Sequence, residues 1–210
     1  MRQLTRPQIW FGAVFALGCA AALYAANQID NHQQSVKQER FEVLVDQANK
    51  RLAHRVQLYE YGLRGTRGAV ISAGVDSISR ATFLRYSESR ELRREFPGSR
   101  GFGYIRRVAP SDESRFLKVA RADGVPDFRI QELAPHSGDH LVIQFIEPVA
   151  MNRAAIGLDI ASEANRRQAA IEALSEGQPT LTKPITLVQA SGKVDQGFLF
   201  FLPVYRPGEG

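Results

Sequence analysis

One apolar run near the N-terminus constrains the fold of this chain more than any other feature. It covers residues 9–26, eighteen residues that include no charged side chain. At about 1.5 Å per residue, a helix of this length extends over roughly 27 Å, close to the ~30 Å hydrocarbon thickness of a bilayer. The sequence therefore predicts a transmembrane helix over 9–26, with the rest of the chain on one side of a membrane.

The charges around this run predict its orientation. Arg2 and Arg6 precede it, and the first Lys or Arg after it is Lys37. Because cytoplasmic flanks carry the excess of Lys and Arg, residues 1–8 are expected to form a cytoplasmic tail. This predicts a single N-terminal span in the cell (inner) membrane and a periplasmic or extracellular domain. A cleaved signal peptide is the alternative, although its apolar region usually has only about 7–15 residues.

Charge and cysteine usage exclude several classes of function. The 27 Lys and Arg residues outnumber the 22 Asp and Glu residues, which gives a net charge of +5. The arginines are scattered among aromatic and acidic residues without a nucleic-acid recognition motif, so no nucleic-acid partner is expected. The one cysteine, Cys19, lies in the apolar run. The remaining chain therefore has neither a disulfide framework nor a cysteine-based zinc site.

A helical period follows the apolar run. Residues 27–35 read as a polar connector, and from Val36 apolar residues recur at three- and four-residue steps. The pattern predicts one long helix over 36–72, which can pack on its own domain, on a second copy of the chain, or on both. Gly62, Gly65 and Gly68 lie at three-residue spacing near its end, which suggests close approach of another backbone.

Shorter elements fill the rest of the chain. Because they interleave without a regular βαβ repeat, they indicate an α+β fold with an antiparallel sheet. Helices are predicted over 79–95, 111–122 and 162–173, and strands over 102–109, 128–133, 141–149, 155–160, 186–188 and 197–205.

The segment 136–140 concentrates potential ligands and acid–base groups. His136, Asp139 and His140 could bind a metal only on a helix or in a loop that brings them together. Pro135 and the Ser-Gly centre disfavour a helix, so the sequence predicts a solvent-exposed loop, with no metal ligands and no cofactor. A membrane-anchored hydrolase using His136 and Asp139 or His140 is the enzymatic alternative. Since no nucleophile motif accompanies them, the chain is not expected to be an enzyme.

Asp159 is the most informative carboxylate. It lies between Leu158 and Ile160 in an apolar segment, so strand alternation would put it on the opposite face from both neighbours. A carboxylate facing an apolar pocket is costly unless it is paired with donors. Backbone N–H groups or a ligand could supply them. A surface aspartate, or the cap of the following helix, is the alternative interpretation.

Five blocks together resemble the CHASE domain, a sensory module found ahead of histidine kinases and diguanylate cyclases. They occur in order and with family-like spacing: YGLRGTRG over 61–68, FPGSRGFGYIRRV over 96–108, FIEPVAMNRAAIGLDIASEANRR over 145–167, LTKPITLVQ over 181–189 and GFLFFLPVY over 197–205. The resemblance makes 36–210 a CHASE-like extracytoplasmic domain at the input end of a receptor whose C-terminal end and output domain are missing.

The resemblance carries further expectations. It implies a long membrane-proximal helix, tandem PAS-like lobes with antiparallel sheets, and a homodimer formed through the long helix. It also implies a small-molecule pocket. Plant members bind adenine derivatives, and their binding positions match Asp159 and Leu181 here, with Leu187 and Gln189 along the following strand.

The expected function is therefore a ligand-binding sensor that signals across the membrane to a histidine kinase or diguanylate cyclase. The intact receptor would then be an enzyme even though this chain is not. A structural or protein-interaction module without a small ligand is the alternative, and a pocket of roughly 300 Å³ or more would argue against it.

Overall fold

The computed structural model describes residues 6–187, 196–206 and 208 of the chain. Within them the fold contains α-helices and short antiparallel strands, together with three 3₁₀ turns. The helices are α1 (Arg6–Ala73), α2 (Arg80–Glu88), α3 (Leu92–Glu95), α4 (Glu113–Ala122), α5 (Val149–Asn152) and α6 (Ala164–Glu176). The strands are β1 (Phe102–Val108), β2 (His140–Glu147), β3 (Thr180–Leu181), β4 (Ile185–Thr186), β5 (Gln196–Gly197) and β6 (Phe200–Phe201).

Helix α1 is much longer than the predicted helix over 36–72. It has 68 residues and continues through 27–35, the stretch that the sequence assigns to a connector. That stretch contains neither glycine nor proline, so nothing in it interrupts the helical hydrogen bonds. The helix ends at Ala73, one residue beyond the predicted end, where Gly74 adopts a positive φ of 90°.

The predicted transmembrane helix over 9–26 is wrong. Across the part of the chain that the structure describes, no helix combines the length and the apolar character that crossing a membrane requires. A spanning helix needs about 20 consecutive apolar residues. Helix α1 owes most of its length to the polar and charged sequence that follows the apolar run.

The α+β character and the antiparallel pairing agree with the sequence, but the tandem PAS-like lobes are a second correction. The chain divides into one unit over 1–54 and one compact unit over 55–210. Among the described residues, strands pair only as three two-stranded antiparallel sheets, β1–β2, β3–β6 and β4–β5. Four of these strands have two residues each, which is too short to build the separate larger sheets that two lobes require.

The core of the second unit joins α1 and α2 to the β1–β2 pair. Val70 from α1 and Phe83 from α2 pack with Tyr104 and Phe145, one from each strand. The Phe83 and Phe145 rings lie 5.5 Å apart between centroids. Full burial of side chains of this size contributes roughly 1.5–3 kcal/mol each. The last turns of α1 are thereby fixed on the β1–β2 sheet.

Two predicted strands, 128–133 and 155–160, do not form ladders. Each makes only isolated bridges, Gln131 with Leu158 and Asp159 with Val142. Gly157, in the second segment, has φ +80°. A Cβ there would be 2.1 Å from the carbonyl oxygen of Arg129 in the first segment. Both segments therefore follow an irregular, tightly packed path beside β2. The predicted helix over 79–95 is likewise divided into α2 and α3.

Candidate functional site

Asp159 lies at the centre of a cluster of acidic and imidazole side chains. Its side chain is fully buried, and its Oδ1 atom accepts hydrogen bonds from the backbone N–H groups of Leu141 at 2.8 Å and Ala161 at 2.9 Å. The second bond caps the 3₁₀ turn Ile160–Ser162. These two bonds fix one carboxylate oxygen between the start of β2 and the turn. They also satisfy a buried charge, which would be costly without hydrogen-bond donors.

The other oxygen of Asp159 faces two histidines. Its Oδ2 atom lies 2.7 Å from His136 Nε2 and 2.7 Å from His140 Nδ1. The side chain of His136 is 7% exposed and that of His140 is 16% exposed. The prediction of a solvent-exposed loop is therefore wrong for these two side chains. Gly138, with φ +103°, turns the loop so that both rings reach the same carboxylate.

Glu132 completes the cluster. Its Oε1 atom lies 3.7 Å from His136 Nε2 and 3.7 Å from His140 Nδ1. One ligand atom from each of Glu132, His136, His140 and Asp159 lies within 4.8 Å of all the others. Glu132 was not predicted from the sequence, although its signal is present as acid and imidazole groups spaced four residues apart at 132, 136 and 140.

Asp139 is directed elsewhere. Its Oδ2 atom accepts a hydrogen bond from Arg107 Nε at 2.6 Å, on the neighbouring strand β1. The hydrolase alternative requires His136 and Asp139 or His140 to converge with a nucleophile. The structure brings the two histidines to Asp159 instead.

The protonation equilibria of the cluster reflect its hydrogen bonds. Burial alone would raise the pKa of the Asp159 carboxyl, but donors from His136, Leu141, His140 and Ala161 outweigh it and hold that pKa below its usual value. The hydrogen bond to Asp159 raises the pKa of the His136 imidazole above its ordinary value, against the opposing effect of burial. The carboxylate is therefore ionised at neutral pH.

A separate cavity of about 350 Å³ lies beside the C-terminal part of α1. Gly62 and Thr66 of α1 form one wall, and Tyr86 and Ser87 of α2 form another. A Cβ at Gly62 would lie 2.5 Å from Phe102 Cζ, so the absence of a side chain there lets the ring approach the helix.

The opposite side of this cavity combines rings and charges. Phe96 and Phe102 pack edge to face with centroids 5.0 Å apart, and the guanidinium of Arg90 lies 5.2 Å from the centre of the Phe96 ring. Arg90 also forms an ion pair with Glu95. Glu147, at the end of β2, is buried and accepts a hydrogen bond from the Val149 N–H at 3.0 Å. The cavity is thus mainly apolar with a few polar groups, the usual composition of a ligand site.

The other ligand-binding residues predicted from the resemblance lie elsewhere. Leu181 pairs with Phe200 in the β3–β6 sheet and is 48% exposed. Leu187 packs against Gly197, where a Cβ would lie 2.9 Å from Leu187 Cδ1. Gln189 is outside the described residues.

Comparison with known proteins identifies the family. The family model of the CHASE domain matches residues 76–210, which is more than half of the chain. The search of curated proteins gives no match. CHASE domains are extracellular sensory domains of receptors, and their role is sensory rather than catalytic. The chain therefore belongs to the CHASE domain family.

Proposed function

We propose that this chain is the small-molecule-binding input of a receptor that signals across a membrane to a cytoplasmic histidine kinase or diguanylate cyclase. The observation that carries the proposal is the cavity of about 350 Å³ beside α1. Small-molecule sites usually occupy about 300–1,000 Å³ and are mostly apolar, with a few directed polar groups. A cavity of this kind argues against an interaction module without a ligand. The sensory domain would face the periplasm or the cell exterior, as the family does.

The position of the cavity suggests how binding would become a signal. A ligand in it touches Thr66 of α1 and Ser87 of α2 at the same time. A ligand shifts a conformational equilibrium only by its different affinities for the two states. An arrangement in which α1 and α2 move apart would lose one wall of the site. Binding would therefore favour the arrangement described here, and α1 would carry the difference along its length.

We further propose a planar heteroaromatic ligand of the adenine type. Tyr86, Phe96 and Phe102 supply ring surfaces to the cavity, and Arg90 and Glu147 supply polar groups. Aromatic side chains stack on flat rings, and a few polar atoms then fix the orientation of the ligand. Asp159, Leu181, Leu187 and Gln189 remain the alternative location for such a ligand, on the basis of the family resemblance.

Thermal unfolding of the full chain tests the cavity, with N6-benzyladenine as the probe. The probe is expected to raise the melting temperature of the wild-type chain in a concentration-dependent way, because it binds only the folded state. Ser87→Phe fills the cavity and should abolish this rise. Ser114→Phe places the same ring on exposed α4 and should leave the rise intact.

The melting experiments test the location of the binding site and the chemical type of the ligand separately. An equal rise in the Ser87→Phe and wild-type chains would show that the probe binds elsewhere, and Asp159→Ala would then be the next variant to test. A wild-type chain with no rise up to millimolar probe would exclude the adenine type.

A further inference from the structure

We propose that Glu132, His136, His140 and Asp159 bind a divalent transition-metal ion of the zinc type. Their four candidate ligand atoms lie within 4.8 Å of one another. The proposal goes beyond the small-molecule function and does not depend on it. None of these four residues lines the cavity beside α1, so the two sites can be disabled separately.

The donor set matches the preferences of such an ion. Two imidazole nitrogens and two carboxylate oxygens suit Zn²⁺, which binds four such groups tetrahedrally. Hard cations such as Mg²⁺ and Ca²⁺ favour sites built of oxygen atoms alone, and the two imidazoles argue against them. Two carboxylates and two neutral imidazoles carry a formal charge of −2, which a divalent cation balances.

His136 offers one ring nitrogen to the loop and the other to the cluster. Its Nδ1 atom lies 3.2 Å from the backbone oxygen of Ser137, and its Nε2 atom lies 2.7 Å from Asp159 Oδ2. A hydrogen on Nδ1 leaves Nε2 to share a cation with the carboxylate, either the proton of an imidazolium or a metal ion. A metal ion would be shared with Glu132 and His140 as well, because their ligand atoms lie in the same cluster.

The contact between His136 Nδ1 and the Ser137 backbone oxygen is of a kind that metal-bound histidines make. Such imidazoles almost always donate their second N–H to a backbone carbonyl or a carboxylate, which fixes the ring and its tautomer. Here the acceptor is the Ser137 carbonyl. Asp159 is held in a comparable way, because Leu141 N–H and Ala161 N–H fix Oδ1 and leave Oδ2 directed at the histidines.

The described geometry departs from a tetrahedral site in both directions, because two pairs of ligand atoms are closer than such a site requires and the whole set extends over up to 4.8 Å. Ligand atoms about 2.0–2.1 Å from a zinc ion are separated from each other by about 3.3 Å. The two Glu132–histidine distances of 3.7 Å are already close to this value. The two Asp159–histidine distances of 2.7 Å would lengthen by about 0.6 Å, which a side-chain rotation can supply.

The test uses the purified full chain, stripped with a chelator and then titrated with Zn²⁺, and separately with Co²⁺. Calorimetry is expected to give one tight site per chain, and bound Co²⁺ should show the intense visible absorption of tetrahedral coordination. Changing an outer-shell partner usually costs 10–100-fold in affinity, so loss of a direct ligand in His136→Gln or Glu132→Gln should weaken Zn²⁺ binding by at least about 100-fold. His54→Gln, on the exposed surface of α1, is the matched control and should bind as the wild type does.

Three results would overturn the assignment. They are the absence of Zn²⁺ binding below millimolar concentration, equal affinity in the His136→Gln and wild-type chains, and an octahedral Co²⁺ spectrum. If a variant fails to fold, Glu132→Gln keeps the test decisive, because Glu132 is exposed and makes only the 3.7 Å contacts. Unchanged response of the Glu132→Gln chain to N6-benzyladenine would show that the metal site and the cavity are independent.

Discussion

At the residue scale, a buried charge explains most of the local architecture around residue 159. Asp159 is fully buried and accepts from two backbone N–H groups and two imidazoles. Desolvation of an unpaired carboxylate would cost several kcal/mol, so the loop 136–140 and the turn after Asp159 are organised to satisfy it. The same carboxylate that caps a turn is thus also the anchor of the four-residue cluster.

The surface carboxylate Asp76 gives a pH prediction. A hydrogen bond from Arg206, together with the charge of Arg106, lowers the pKa of Asp76 below 3.8. Because the folded-state pKa is depressed, its stabilising contribution is fully present above the unfolded value and is lost as pH falls through the lower folded value. Asp76 is more than half exposed, so solvent screening limits the contribution to about 0.5 kcal/mol.

Urea unfolding of the wild-type and Asp76→Asn chains measures this contribution. The Asp76→Asn chain should be less stable by that amount at pH 7, and the two chains should converge as the pH falls through the depressed folded-state pKa of Asp76. Asp127→Asn, an exposed loop position, should leave stability unchanged at both pH values. A difference between wild type and Asp76→Asn that persists undiminished at pH 2 would contradict the electrostatic origin.

At the element scale, the part of α1 from residue 36 onward and the strands β1 and β2 could be predicted from sequence, and the segments beside them could not. The helical period located the end of α1, and aromatic and β-branched residues located β1 and β2. The segments 128–133 and 155–160 carry the same residue types, but Gly157 directs the chain into isolated bridges. The strand propensity of a segment does not reveal such a close backbone approach, because the approach depends on residues that are distant in sequence.

The glycines of α1 give a matched pair of substitutions. A Cβ at Gly62 would lie 2.5 Å from Phe102 Cζ and 2.8 Å from Phe96 Cε1, whereas a Cβ at Gly68 meets no atom within 4 Å. Within a helix, replacing glycine by alanine stabilises the folded state by about 1 kcal/mol, whereas overpacking of a core destabilises it by about 1–3 kcal/mol.

We therefore expect Gly68→Ala to raise the free energy of unfolding by about 0.5–1 kcal/mol. Gly62→Ala should lower it by about 1 kcal/mol, because the steric cost exceeds the helical gain. Denaturant unfolding measures both. Equal stabilisation by the two substitutions would mean that the rings of Phe96 and Phe102 do not hold the helix in the described position.

At the scale of the whole molecule, the family resemblance was confirmed by the match over 76–210, while the cluster of Glu132, His136, His140 and Asp159 was not recognised from sequence. His136 and His140 were visible as a pair, but their shared partner Asp159 lies 23 and 19 residues further along the chain. A loop that converges on a distant carboxylate cannot be distinguished by spacing from a loop in solvent. Only the packing of the loop against β2 and the turn at 160–162 reveals it.

Self-association of the chain is the prediction at this scale. Leu44 and Leu52 of α1 are each 64% exposed, and Phe41 is 61% exposed on the same helix. Such side chains at helical spacing favour pairing with an apolar partner surface, and the family resemblance makes a second copy that partner.

Sedimentation velocity tests it. The wild-type chain should sediment as a dimer. The combined change Leu44→Glu and Leu52→Glu should raise the dissociation constant of the dimer by at least about tenfold. The reason is that burial of two leucines contributes more than about 1.4 kcal/mol, the free energy of a tenfold change. Gln47→Glu adds a charge elsewhere on α1 and should leave the dimer intact. A wild-type monomer at all concentrations tested would remove the basis for a paired sensor.

The ion pair between Asp76 and Arg206 has a consequence for engineering. The two residues are 130 positions apart and are joined at 2.9 Å, so the first residues of the family-matching segment lie beside its last described ones. Domains whose two ends adjoin are tolerated as insertions in the surface loops of other proteins. A transplanted cassette would have to carry the last turns of α1 as well, because Val70 belongs to the core of the second unit and Gly62 and Thr66 line the cavity. With them, a host enzyme could acquire responsiveness to a ligand of that cavity.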